Sequence, residues 1–166
     1  MRRILGIDPG SRYTGYGVIE SDGRNSRHIA SGRICISSKI FSERLGVIFS
    51  SLNEIIGDYA PAEAAVEEVF MARNPGSALK LGQARGAAIT AVVHAGLPVA
   101  EYTPRLVKQA IVGSGGADKS QVGHMVRVLL NINQPLTEDQ GDALAVALCH
   151  AHIAGTASRL AGWSAR

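Results

Sequence analysis

Four acidic residues scattered along the 166-residue chain, Asp8, Glu67, Asp139 and Asp142, have the chemistry and setting to hold a hard divalent cation. Asp8 closes the apolar run Ile4-Leu5-Gly6-Ile7. Glu67, with Glu68 beside it, lies in a second apolar run from Ala64 to Phe70. Asp139 and Asp142 stand three apart at the start of a helix and share one face. Burying carboxylates is costly unless a positive charge neutralises them. Two of them about 5 Å apart repel by roughly 3 kcal/mol at an effective dielectric near 20. The chain lacks His and Cys clusters, so a cation that prefers oxygen ligands is the natural counter-charge. Two such ions about 3.5–4 Å apart suit in-line attack on a phosphodiester. The set points to metal-assisted phosphoryl chemistry.

Taken singly, the acids have ordinary explanations. Asp8-Pro9-Gly10 is a turn sequence with Asp at its capping position. Thr137-Glu138-Asp139-Gln140 fits a helix capping box, and first-turn acids favour the helix dipole. Asp142 is harder to explain away, because it heads the apolar stretch Ala143–Leu148. Glu67 and Glu68 face opposite sides of a strand, so one of them meets a covered face.

The elements that must position these residues follow from periodicity and turn chemistry. Strands are expected over 3–8, 14–21 and 27–37, with a hairpin turn at Asp22-Gly23. Phe41, Leu45, Ile48, Leu52, Ile55 and Tyr59 mark an amphipathic helix that Pro61 stops. A fourth strand spans 63–70. A helix rich in small residues covers 77–95, and a fifth strand covers 98–102. Three more helices are expected: a short one from Pro104, then 119–131 and 138–154. Three leading strands followed by parallel crossovers predict an α/β fold, a mixed five-stranded sheet flanked by helices. Gly113–Ser120 falls one residue short of a phosphate-loop pattern, since Asp118 replaces its second glycine. Asp118 with Gln121 reads instead as a capping pair.

An apolar share of 46% with 19% charged residues describes a globular domain. The net charge of +3 permits a polyanionic partner without requiring one. Cys35 and Cys149 have no motif spacing, which suits a reducing compartment, and no apolar stretch reaches membrane-spanning length. Only four residues separate Arg3 from Asp8, too few for a secretory core. The expectation is a cytoplasmic protein with no membrane partner.

The run Leu5-Gly6-Ile7-Asp8-Pro9-Gly10-Ser11-Arg12-Tyr13-Thr14-Gly15-Tyr16-Gly17 closely resembles the opening of the RuvC family, bacterial crossover (Holliday) junction endodeoxyribonucleases. So do Glu67–Ala72, Ser77–Gly86, Lys119–Val122 and Asp142–Ala145, and the resemblance covers residues 3 to 153. It implies a ribonuclease-H-like nuclease domain over 1–154, with 155–166 a flexible tail. It selects Glu67 over Glu68 and Asp139 over Glu138 as metal-binding catalytic carboxylates alongside Asp8 and Asp142. Mg2+ is the implied cofactor, two per site with Mn2+ a possible substitute. The implied products carry 5′-phosphate and 3′-hydroxyl ends.

Basic residues should flank such a site and track DNA phosphates. Arg73, Lys80, Arg85, Lys108 and Lys119 are the candidates, against the alternative of a solvated helix face. Lys108 and Lys119 resemble family positions that meet DNA near the cut. Phe70 is a core aromatic or a base-stacking wedge, and the resemblance favours the wedge. His150 lies eight residues after Asp142, and helix packing or a proton-carrying role are both open to it. A two-fold homodimer through helix 77–95 would match the symmetry of a four-way junction, alongside a branch-migration motor in recombination and repair. Three other readings compete: an actin-like ATPase, a non-catalytic junction scaffold, and a related nuclease directed at RNA–DNA hybrids.

Overall fold

The structure, a computed structural model, describes residues 1–68 and 74–164, and side chains up to residue 157. Its elements are β1 (Arg2–Asp8), β2 (Tyr13–Ser21), β3 (Ser26–Cys35), α1 (Phe41–Tyr59), β4 (Glu63–Glu67), α2 (Pro75–His94), β5 (Val99–Tyr102), α3 (Pro104–Val112), α4 (Lys119–Leu129) and α5 (Glu138–Ser164). The five strands form one sheet in the order β3-β2-β1-β4-β5. The first three make an antiparallel meander, and β1, β4 and β5 run parallel through helical crossovers. This is the mixed, helix-flanked sheet that the sequence predicts.

Alternation along the strands sends their apolar side chains to two cores. Leu5, Ile7, Val18, Ala64 and Val66 pack under α1 and α2, against Ile48, Leu52, Ala84 and Ala88. Ile4, Ile19 and Ala65 pack under α3, α4 and α5, against Val107, Val122, Leu144 and Leu148. In α2, Ala84, Ala88, Ala91 and Val92 are buried, while Gly82 and Gly86 face open space and Leu79 is exposed. The helix thus spends only part of its small-residue content inside this chain.

Local signals end the elements where they should. Ala60 takes a left-handed conformation after α1 and Pro61 follows it. Asp118 and Gln121 form the full capping box of α4. Several other ends fall short of the expected ones, β3 at Cys35, β4 at Glu67 and α4 at Leu129, and one runs well beyond. The sequence ends the last helix at 154 and leaves a flexible tail, whereas α5 continues to Ser164. Its Gly155 is buried against Gly23 of the β2–β3 turn, where a Cβ on Gly155 would come 2.6 Å from the Gly23 Cα. The glycine that reads as a helix end is a packing contact. Among the described residues, no helix is long and apolar enough to cross a membrane.

Candidate active site

α5 lies across the middle of the sheet, and three glycines let it sit there. Gly6 pairs with Gly17, and Gly15 pairs with Asp8. A Cβ on Gly6 would overlap the Ala143 carbonyl oxygen, and one on Gly15 would overlap that of Asp139. At Gly17 it would stand 2.6 Å from Leu144 Cδ2. Bare backbone on β1 and β2 therefore seats the first turns of α5 directly on the strands, bringing Asp139 over Gly15, the neighbour of Asp8.

Asp139 is free for that position because other residues cap the helix. The Thr137 backbone N–H donates to Gln140 Oε1 at 2.9 Å, and the Gln140 N–H donates to Thr137 Oγ1 at 3.4 Å. Gln140 also reaches sideways, donating to the Ser31 carbonyl at 3.1 Å and fixing α5 to β3. The β1–β2 turn likewise does not need Asp8. Thr14 closes it, donating to the Gly10 carbonyl at 3.0 Å and accepting from the Gly10 N–H at 3.3 Å.

Glu67 ends β4 beside the end of β1 and lines a cavity of about 260 Å³ together with Asp142, Lys108 and Lys119. The carboxylates act on one another. Burial raises the Asp8 carboxyl to about 8, and the charges of Asp142, Glu67 and Asp139 add to this while Lys119 opposes it. Burial and the Asp142 charge raise Glu67 to about 7, against Lys119 and Lys108. Asp142 is also raised, chiefly by burial, with Lys119 pulling the other way. Lys119 is held well up by its bond to Glu138 and sits 3.4 Å from Asp142. The acids outnumber the cations that face them.

Six of the residues singled out in the sequence thus meet: Asp8, Glu67, Asp139, Asp142, Lys108 and Lys119. Lys80 and Arg85 belong to α2, which covers the opposite face of the sheet. Lys80 is exposed there. Arg85 is ion-paired with Glu101 and donates from Nε to the Glu67 carbonyl at 3.4 Å, tying α2 to the end of the strand that carries Glu67. Phe70 and Arg73 lie outside the described residues.

His150 is set apart as well. Its Nδ1 is 2.7 Å from the Tyr102 hydroxyl and its Nε2 is 3.2 Å from Glu63 at the start of β4. Eight residues of helix separate it from Asp142, about 12 Å along the axis. It serves the packing of α5.

The residues that sequence reasoning missed are Arg33 and Tyr13. Arg33 Nη1 is 3.9 Å from Asp139 Oδ2, and its guanidinium lies 4.5 Å above the Tyr13 ring. The signal was in the strand register, which sets Arg33 opposite Gly15, but a register between paired strands is not readable before the pairing is known.

The sequence pattern of the family described as crossover junction endodeoxyribonuclease RuvC matches residues 4–150. The chain belongs to the RuvC family. A RuvC from Alkalilimnicola ehrlichii is 59% identical over 160 residues, 96% of this chain and 97% of the relative. One from Geobacter sp. (strain M21) is 58% identical over 160 residues, covering 96% and 98% respectively. Among solved structures, T. thermophilus RuvC in complex with Holliday junction substrate superposes with a TM-score of 0.89 at 36% identity, covering 95% of this chain and 98% of that one. The yeast mitochondrial Holliday junction resolvase Ydc2 shares the fold alone, with a TM-score of 0.67 at 11% identity over 95% of this chain and 83% of its own. The RuvC match explains the ribonuclease-H-like sheet and places the acid-lined cleft inside the matched span.

The donor set suits a hard divalent ion. It is all carboxylate, and its buried charge is only partly balanced by lysine. Among the described residues, no three His, Cys, Asp or Glu side chains stand close enough together to hold a metal ion as they are placed.

Proposed function

We propose that this chain is a structure-specific endonuclease that resolves four-way (Holliday) DNA junctions by paired, symmetric, divalent-metal-dependent hydrolysis in recombination and repair. The observation that carries the reading is the half-buried, mutually repelling set of Asp8, Glu67 and Asp142 with Asp139 beside it, in a chain of the RuvC family. The likeness to a RuvC solved with a Holliday junction substrate supports the choice of DNA.

In this reading Asp8, Glu67, Asp139 and Asp142 are the metal-holding catalytic residues. Two Mg2+ ions there, or Mn2+ in their place, would supply an activated water and stabilise the departing 3′-oxygen, leaving 5′-phosphate ends. The chain's own work is positional. The glycine seat sets the start of α5, with Asp139 and Asp142, directly on the strands that carry and flank Asp8. Lys108 and Lys119, on the α3–α4 side of the cleft, draw the scissile strand in by its phosphates, Lys119 from beside Asp142. Phe70 is the proposed wedge between bases at the junction centre, and Arg73, Lys80 and Arg85 are proposed outer DNA contacts.

The proposed assembly is a homodimer through helix 77–95, whose two sites would face the two equivalent strands of a junction. The exposed Leu79, with Pro75, Ala78 and Gly82, forms an apolar surface on that helix that supports the proposal. A branch-migration motor as partner and the cytoplasm as location complete the reading.

The test is incubation with a synthetic four-way junction, a linear duplex and an RNA–DNA hybrid, with and without Mg2+. Paired symmetric nicks in the junction alone, only with metal, are the expected result. Junction binding without nicks would return the acids to a structural role. A cut hybrid with intact junctions would make the substrate RNA-directed.

A further inference from the structure

We propose that Arg33 is a DNA-phosphate contact on the β3 side of the cleft, held ready for that task by Tyr13. The proposal rests on the junction-nuclease reading and adds a contact on the side opposite Lys108 and Lys119.

The geometry begins with register. Asp8 pairs with Gly15, and Gly15 pairs with Arg33, so the three lie in line across β1, β2 and β3. Paired residues project to the same face, and two strand spacings put Arg33 about 10 Å from Asp8 at the backbone. Gly15 has no side chain, and Asp139 occupies the space above it. The line therefore reads Asp8, then Asp139, then Arg33, with the arginine at the edge of the acid cluster.

An arginine on an edge strand has an ordinary use, since exposed charge there discourages strand-to-strand association. That role asks only for a side chain pointing into water. Arg33 does something else. Its guanidinium carbon stands over the Tyr13 ring, 4.5 Å from the centroid, a cation–π contact that holds the group on that side. Tyr13 is itself 44% exposed, so the ring and the guanidinium meet at the surface. The contact with Asp139, at 3.9 Å, is an ion-pair separation and too long for a hydrogen bond. A guanidinium has five N–H donors, so the ring and one distant oxygen leave most of them open. With 43% of the side chain exposed, those donors face solvent at the rim of the cleft.

A pre-oriented, desolvated-on-one-face guanidinium with open donors is a fork for phosphate. Lys108 and Lys119 hold only one side of the cleft. A strand crossing the acid cluster needs a cation on the other side as well, or repulsion from the acids tilts it away. Arg33 is the residue placed to supply it.

The experiment measures junction affinity across a salt series in Ca2+, together with single-turnover cleavage in Mg2+, for the full-length protein and for Arg33→Gln, Arg33→Lys, Tyr13→Leu and Tyr13→Phe. Arg33→Gln should weaken junction binding about 5- to 10-fold and flatten the log K against log salt slope by about 1. Arg33→Lys should keep the slope with a smaller loss. Tyr13→Leu should weaken binding roughly 2- to 4-fold at unchanged slope, and Tyr13→Phe should match the parent, because the ring face is what Arg33 uses. Equal affinity and slope in Arg33→Gln and the parent would overturn the proposal. So would a loss confined to cleavage rate and metal requirement, since Arg33 would then act only through Asp139. Thermal melting of each variant separates these outcomes from unfolding, and Arg33→Lys gives a folded comparison. A parent protein that neither binds nor cuts the junction would instead sink the reading on which this proposal stands.

Discussion

α5 carries a polar cluster at each end of its buried stretch, and the two are built on opposite principles. At the Asp142 end, the acids Asp8, Glu67 and Asp142 are half-buried together, and desolvation and neighbouring carboxylates push them toward the protonated form. At the His150 end, Glu63 stands 3.3 Å from Arg2 and 3.2 Å from His150, whose other ring nitrogen meets the Tyr102 hydroxyl. The second cluster has one carboxylate and a counter-charge in Arg2, and can be explained as structure. The first has four carboxylates only partly balanced by Lys119 and Arg33, so its residues are kept at a cost to the fold, as sites of function are. Balance of charge, more than burial, distinguishes the two.

The widest separation should come from matched carboxyl-to-amide changes. Asp8→Asn should reduce metal-dependent junction cleavage by about 1,000-fold or more, well beyond the roughly 10- to 100-fold typical of groups that merely support a ligand. Junction binding should survive, since the change adds neither bulk nor positive charge. Glu63→Gln should leave cleavage within about 2-fold and lower stability by roughly 2 kcal/mol, because Arg2 and His150 lose a shared partner. Single-turnover cleavage and denaturant melts on both variants test the contrast. If Glu63→Gln proved as inactive as Asp8→Asn, charge balance would not separate function from structure in this chain.

Gly6→Ala should come next, destabilising by roughly 3 kcal/mol, because its Cβ overlaps the backbone of α5 where nothing can give way. Any folded fraction should need more metal for cleavage, since α5 carries Asp139 and Asp142. Gly46→Ala, where the added Cβ meets nothing within 4 Å, should leave the metal requirement unchanged and is the control. A Gly6→Ala protein with parental stability and metal requirement would show that α5 is not seated by the glycines.

The unbalanced end also predicts a pH dependence. In the metal-free folded protein, Asp8 keeps its proton to about 8 and Glu67 to about 7. The unfolded chain ionises both near pH 4, so the folded state binds more protons between those limits. Stability from these groups is complete below about pH 4 and is lost as the pH climbs through 7 and 8. The loss should be on the order of 3 kcal/mol, less than full linkage because water reaches the cleft. Melting in chelator from pH 5 to 9 should show the decline, and Asp8→Asn should remove most of it. Divalent metal should reverse the trend, raising the melting temperature more at pH 8 than at pH 6 and releasing protons on binding. Flat melting temperatures over that range would mean that the acids are better hydrated than their burial implies.

Much of this was legible in the sequence because it is local. The Phe41–Tyr59 periodicity, the Pro61 stop and the Asp118–Gln121 cap each need only a few neighbouring residues, and each is seen. The paired acids of α5 were visible through helical spacing. What stayed hidden depends on contacts between distant segments. Gly6, Gly15 and Gly17 read as a glycine-rich motif, but their purpose is set by Asp139, Ala143 and Leu144, well over one hundred residues away. Gly155 read as a helix end because its partner, Gly23, sits in another turn. Arg85 read as a DNA cation, and its ion pair with Glu101 and its bond to the Glu67 carbonyl came into view only with the fold. Arg33 carried no local signal at all, since its meaning comes from strand register and from the ring of Tyr13.

The smallest expected effect tests the boundary between the unbalanced acids and their nearest cation. Lys119 is shared between the exposed Glu138 and the half-buried Asp142. A phosphate that enters the cleft must compete with Glu138 for that ammonium. Glu138→Gln removes the competitor, so junction binding should tighten about 2- to 3-fold near 0.1 M salt, the scale of an exposed ion pair. The gain should vanish in high salt, where such pairs are screened. Cleavage at saturating metal should stay within about 2-fold, since Glu138 is outside the proposed ligand set. Weaker binding in Glu138→Gln would reverse the interpretation: the glutamate would then hold Lys119 in position for DNA, and the ion pair would belong to the binding surface instead of restraining it.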